Sequence, residues 1–170
     1  MRRLFAIFLL LISAGFPAPP QTPQRDPIIK ANWTLVTYTK AYAIFIDRSL
    51  IKETQQMTLV AFQLRIARSD TKEGQLAKQQ DYVNISKIVG TVKAKAFSHE
   101  VSLVEVSCEE EKSRALKIWL DDKQSQTIYD FSDSQLETQK KWTRYVVNSI
   151  GSKVIKAVCD GTAPAPLSSQ

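Results

Sequence analysis

Two cysteines, one histidine and a scatter of carboxylates are the side chains here that could bind a metal, carry a redox step or move a proton. Cys108 closes the alternating run VSLVEVSC, and Cys159 follows about fifty residues downstream. A zinc site needs about four ligands at close spacings, and beyond the two thiols the chain offers a single imidazole, His99. A redox pair would usually show Cys-x-x-Cys, which this chain lacks. A structural disulfide is the third reading, and the compartment decides among them.

The remaining chemistry is thin. As a general base, His99 needs a positioned partner, with Glu100 or Asp47 as candidates, and a nucleophile to serve. A lone histidine near a strand start is more often an exposed polar residue, so no catalytic residue is assigned. Asp121, Asp122, Asp130 and Asp133 lack the Asp-x-Asp-x-Asp-Gly spacing that wraps calcium. No metal or cofactor is therefore expected. Five glycines build no Gly-x-Gly-x-x-Gly, no phosphate-binding loop and no Gly-x-Ser-x-Gly. Asp47 interrupts the apolar IFIDRSLI, where it either pairs with Arg48 or Arg114 or ends the strand, and a structural salt bridge is expected over catalysis. Glu109–Lys112 reads as a solvated turn. Asn32-Trp33-Thr34 and Asn84-Ile85-Ser86 match glycosylation sequons without further support.

Basic residues recur late in the chain. Lys153 and Lys156 are three apart and share a helix face. With Lys140, Lys141 and Arg144 they make a candidate ligand-contact face for acidic chains or acidic protein segments. An ordinary solvated face is the competing reading.

The N-terminus addresses the compartment. MRRLFAIFLLLISAG has two arginines, then an uncharged run from Leu4 to Phe16. That run falls short of the roughly 17–25 residues a spanning helix needs, so residues 1–14 read as a secretory signal peptide. No cysteine follows closely to accept a lipid, and no integral membrane span is expected after cleavage. Residues 15–27 form a proline-rich leader, 28–160 a single domain, and 161–170 a flexible tail. Setting aside Arg2 and Arg3 leaves 21 basic against 17 acidic residues, a net charge of +4. No dense Lys/Arg run with interleaved aromatics tracks a phosphate backbone, so nucleic acid is not an expected partner. In an exported chain a Cys108–Cys159 disulfide is the remaining reading of the thiols.

The segments that hold most of these residues alternate with period two. NWTLVTYT (32–39), AYAIFIDRSLI (41–51) and MTLVAFQLRIA (57–67) read as strands. In the third, Val60, Phe62, Leu64 and Ile66 make an apolar stripe. Residues 69–90 are polar and read as a long surface insertion with at most a helical turn, followed by a strand near Thr91–Phe97. SHEVSLVEVSC and SRALKIWLDD then form a hairpin, and QTIYDF extends it to a meander. In SRALKIWLDD, Leu116, Ile118 and Leu120 are expected on one face and Ala115, Lys117 and Trp119 on the other. Near the end the period changes: Ile150, Val154, Ala157 and Val158 follow helical spacing. Ser149 or Ser152 can cap that helix and Gly161 can stop it. The fold expected is α+β, an antiparallel β-sheet of about six strands, meander-like, with a disulfide-stapled C-terminal α-helix packed on one face.

These features in order resemble the surface-adhesin protein E family of Gram-negative bacteria. The resemblance rests on Trp33, IFIDRSLI with Asp47 and Ser49, LVAFQL, a long insertion, and VEVSC with Glu105 and Cys108. Arg114, IYDF, Trp142-Thr143 and a helix ending in Cys159 complete it. It implies an antiparallel sheet carrying a C-terminal helix, and host proteins such as vitronectin and laminin as partners of some members. The function expected is an exported, non-catalytic, adhesin-like binding protein at the surface or in the periplasm. A periplasmic structural or envelope-associated protein is the alternative, and an enzyme the third class. Exposed sheet edges leave a strand-paired homodimer open.

Overall fold

The computed structural model describes residues 32–160. The segments expected to be a signal peptide, a proline-rich leader and a tail beginning at Gly161 lie outside the described residues. In chain order the elements are β1 (Trp33–Tyr38), β2 (Tyr42–Glu53), β3 (Leu59–Ala67), α1 (Lys72–Val89) and α2 (Thr91–Ala96). They continue with β4 (Phe97–Ser107), β5 (Lys112–Asp122), β6 (Thr127–Asp130), β7 (Thr143–Arg144) and α3 (Ile150–Cys159). The strands form one antiparallel sheet in the order β1-β2-β3-β4-β5-β6, with β7 paired to β5. The expected α+β fold is therefore the one observed.

Alternation decides which side chain faces which layer, because successive strand residues point to opposite sides. Register carries one face across the sheet: Ile46 opposes Gln63, Gln63 opposes Ser102, and Ser102 opposes Ile118. On this side, which carries the helices, Ile44, Ile46, Ala61, Val104 and Val106 pack with Val154, Ile155, Ala157 and Val158 of α3. Ser149 caps α3 by accepting the Ser152 amide at 3.2 Å. Ile150 stays exposed, and Ile155 takes the inward place expected for it. A second, smaller cluster on the same side joins Ile85 of α1, Ala94 of α2 and Leu120 of β5.

The opposite side holds the Val60-Phe62-Leu64-Ile66 stripe with Val101, Leu103 and Trp119. Phe62 and Trp119 approach across the central strand, their ring centroids 6.1 Å apart. Val101 and Leu103, their register partners on β4, are fully buried. The expected split of β5 faces does not hold. A register shift between Leu103 and Val104 sets Ala115 opposite Val104 and Ile118 opposite Ser102, so Ala115 and Ile118 share a side. A bulge at Leu116 breaks the period of two.

Residues 69–90 differ from expectation. They form an 18-residue helix with Thr71 as its N-cap, accepting the Gly74 amide at 3.1 Å, and Glu73 in the first turn. Its buried face runs through Gly74, Asp81 and Ile85. A glycine and an aspartate at inward positions erase the apolar stripe that would announce a helix. The expected strand at Thr91–Phe97 is helix α2 up to Ala96. Its sequence TVKAKA alternates in polarity, but alanine and lysine are strong helix formers. Gly90, at φ +81°, makes the break between the two helices.

Candidate functional site

The disulfide is present. Cys108, just past β4, and Cys159, the last residue of α3, are bonded with their Cα atoms 5.8 Å apart. No cysteine among the described residues is free. This ties the end of α3 to the strand whose Val104 and Val106 it packs upon, an arrangement compatible with export. No described helix is long and apolar enough to cross a membrane. Among the described residues, no three His, Cys, Asp or Glu side chains gather as a metal site would require.

His99 is buried, not exposed, and its partner is neither Glu100 nor Asp47. Register sets it opposite Asp121, with Nε2 3.5 Å from Oδ2 of that fully buried carboxylate. Glu100 points to the other side of the sheet by alternation and binds Arg65 there. Asp47 overturns its expectation too. Among the described residues it makes no salt bridge: Oδ1 accepts from the Ser49 amide at 2.9 Å and the Ser49 hydroxyl at 2.6 Å. Its other oxygen, fully buried, makes no hydrogen bond, and neither does Nε1 of Trp33, its register partner on β1. Nε and Nη2 of Arg48 are also buried without partners. Arg114 pairs instead with Glu105, at 2.7 Å, and Glu105 also accepts from Thr58 at 2.6 Å. Trp142 covers this pair, its ring 4.6 Å from the Arg114 guanidinium and 4.8 Å from the Lys112 ammonium.

The remaining carboxylates have structural duties. Asp122 accepts the Gln124 and Gln126 amides in the β5–β6 turn. Asp130 pairs with Lys117, and Asp133 with Lys140, which holds the Asp133 carboxyl below its usual range. In the turn 109–112, Glu110 pairs with Lys112, and its carboxyl is likewise lowered.

A polar cluster that sequence reasoning missed joins β2, β3, β4 and α1. Arg65 binds Glu100 at 2.9 Å and approaches Asp81 at 3.6 Å. Tyr42 donates to Asp81 at 3.2 Å and lies beneath the Arg65 guanidinium, 4.6 Å away. Burial raises the carboxyl of Asp81 above its ordinary value, against the opposing pull of Arg65. Arg65, a cation on the face of β3 opposite the apolar stripe, was the available signal. Its partners lie 16 and 35 positions on in the sequence, so only pairing reveals them.

The candidate basic face is spread over the molecule. Lys153 and Lys156 stand exposed on α3, and Lys153 donates to Thr37 Oγ1 of β1 at 3.4 Å. Arg144 pairs across from Lys112 on β5, four strands away in the sheet order. Lys140 is engaged with Asp133, and Lys141 is exposed. A second surface was not foreseen. α1 and α2 expose Lys72, Lys78, Lys87, Lys93 and Lys95 together with Leu76, Val83, Ile88 and Val92. Beside Leu76 and Val83 lies an open groove of about 530 Å³, also lined by Tyr42, Glu73, Gln79 and Gln80. No family model, curated protein or solved structure matches this chain.

Proposed function

We propose that the chain is an exported, adhesin-like binding protein of the surface-adhesin protein E kind, which works by surface contact with host matrix or serum proteins and not by covalent chemistry. The observation that carries the reading is the Cys108–Cys159 disulfide, which belongs to an oxidising compartment and holds α3 on the sheet. That helix presents Lys153 and Lys156 to solvent, and charge at such positions steers acidic partners. Saturable binding of the purified protein to immobilised vitronectin, laminin or heparin is the test. Lys153→Glu with Lys156→Glu weakens binding on this reading, and absence of saturable binding to all three ends it.

The second reading, a periplasmic protein in contact with the envelope, is favoured by the exposed aliphatic and lysine side chains of α1 and α2. Protease treatment of intact cells separates the two: a surface protein is lost, and a periplasmic one survives.

A further inference from the structure

Along α1, Lys72, Leu76, Gln80, Val83 and Lys87 follow one another at helical spacing on the side turned away from the sheet, and all are exposed. Leu76 is 55% exposed, and Val92, just beyond Gly90, is 83% exposed. Leu76 and Val83 are two turns apart, about 10 Å. Between Lys72 and Ala96 five lysines stand exposed against one exposed acid, Glu73, because Asp81 is buried beneath Arg65 and Tyr42. The inward side of α1 already holds the contacts that fix it, so the aliphatic tips outside do nothing for the fold.

We propose that the outward surface of α1 and α2 seats the protein on an anionic lipid bilayer. The lysine ammonium groups meet lipid phosphates, while Leu76 and Val83 enter the boundary between headgroups and acyl chains. Lysines interleaved with aliphatic tips suit that zone, where apolar side chains insert shallowly and each lysine gains from the negative surface. A protein-docking surface has the opposite composition: its centre is enriched in aromatics, methionine and arginine and depleted in lysine. α3 supplies a contrast within the molecule, since its exposed Lys153 and Lys156 frame the inward-facing Val154 and Ile155. The proposal does not depend on matrix binding, which was assigned to that other helix.

Co-sedimentation of the disulfide-bonded protein with vesicles tests it. Binding is expected to phosphatidylcholine vesicles containing phosphatidylglycerol, not to phosphatidylcholine alone, and to weaken as salt rises. Lys87→Glu with Lys93→Glu lowers partitioning about thirty-fold or more. Leu76→Ser with Val83→Ser lowers it about ten-fold at unchanged charge. All four positions are exposed, so the variants keep the wild-type thermal melt. Lys153→Glu with Lys156→Glu is the control and leaves partitioning within about three-fold. An equal loss in that control means net charge alone drives binding and overturns the proposal. So does failure to bind anionic vesicles, or binding to polyglutamate with none to vesicles, which marks a protein-docking surface instead.

Discussion

The helix-bearing side of the sheet has two halves that solve the same packing problem differently. Under α3 the contacts are aliphatic, from Ile44, Ile46, Ala61, Val104 and Val106, and a covalent bond closes the end of the helix. Under α1 the sheet offers Tyr42, Arg65 and Glu100, and the helix answers with Asp81. Apolar packing tolerates many partners of suitable size, whereas a buried ionic cluster requires every member in place. The α3 half therefore supplies stability, and the α1 half depends on the exact identity of a few side chains. The comparison also separates two surfaces. The clamped helix turns only polar groups outward beyond Ile150, while α1 and α2 expose aliphatic side chains.

The comparison can be broken at its strongest point first. Replacing both cysteines, Cys108→Ser with Cys159→Ser, releases a closure spanning 51 residues and is expected to cost about 4 kcal/mol. Reductant should destabilise the wild type by a similar amount and leave the variant unchanged in denaturant titrations. Arg65→Met strips the other half of its cation and leaves Glu100 and Asp81 facing each other. Because these side chains keep partial contact with solvent, the expected cost is about 2–3 kcal/mol, below that of a wholly buried pair. If Arg65→Met leaves stability unchanged, the cluster does not hold α1 in place.

Glycine to alanine then sets the two helices against each other. A Cβ on Gly74 of α1 would lie 2.1 Å from the Arg68 carbonyl oxygen, so backbone must move, and Gly74→Ala should cost about 2 kcal/mol. A Cβ on Gly151 of α3 would first meet the ring of Tyr145, 2.2 Å away but on a side chain that is 41% exposed. Gly151→Ala should change stability by less than about 1 kcal/mol, because added helix propensity offsets the displaced ring. Equal costs in urea titrations would refute the distinction.

The smallest effect is one of pH. Burial raises the Asp81 carboxyl, so the folded chain holds that proton more tightly than the unfolded chain does. Its contribution to stability grows as pH falls through the range just above the ordinary value of 3.8 and declines as pH rises out of it. Asp70, paired with Arg68, and Glu110 and Asp133, all lowered by their cationic partners, act oppositely: their contributions are present near neutrality and are lost on acidification. Relative to Asp81→Asn, the wild type should therefore gain thermal stability between pH 6 and 4. Parallel melting curves for the two proteins across that range would contradict the assignment.

Much of the sheet was legible because alternation is a local property. Ile44 with Ile46, and Val104 with Val106, point inward wherever their strands lie, and the stripe of α3 reads the same way. The sites were less legible. Asp47 was expected in a salt bridge because arginines stand near it in sequence or in the next hairpin, but its side chain opposes Trp33 and not a cation. His99 found Asp121 because the pairing of β4 with β5 sets the two opposite each other, which no spacing of 22 positions announces.

Sequence alone sufficed for strands β1 to β6, the last helix and the pairing of the two thiols, but not for β7 or for α2, which it took as a strand. Each of the first three follows from periodicity or from having no other partner. Packing between distant segments made residues 72–89 helical, brought Arg65 to Asp81 and left Leu76 and Val83 facing outward. A buried glycine and a buried aspartate are stable only against particular neighbours, and those neighbours are chosen by packing between segments distant along the chain.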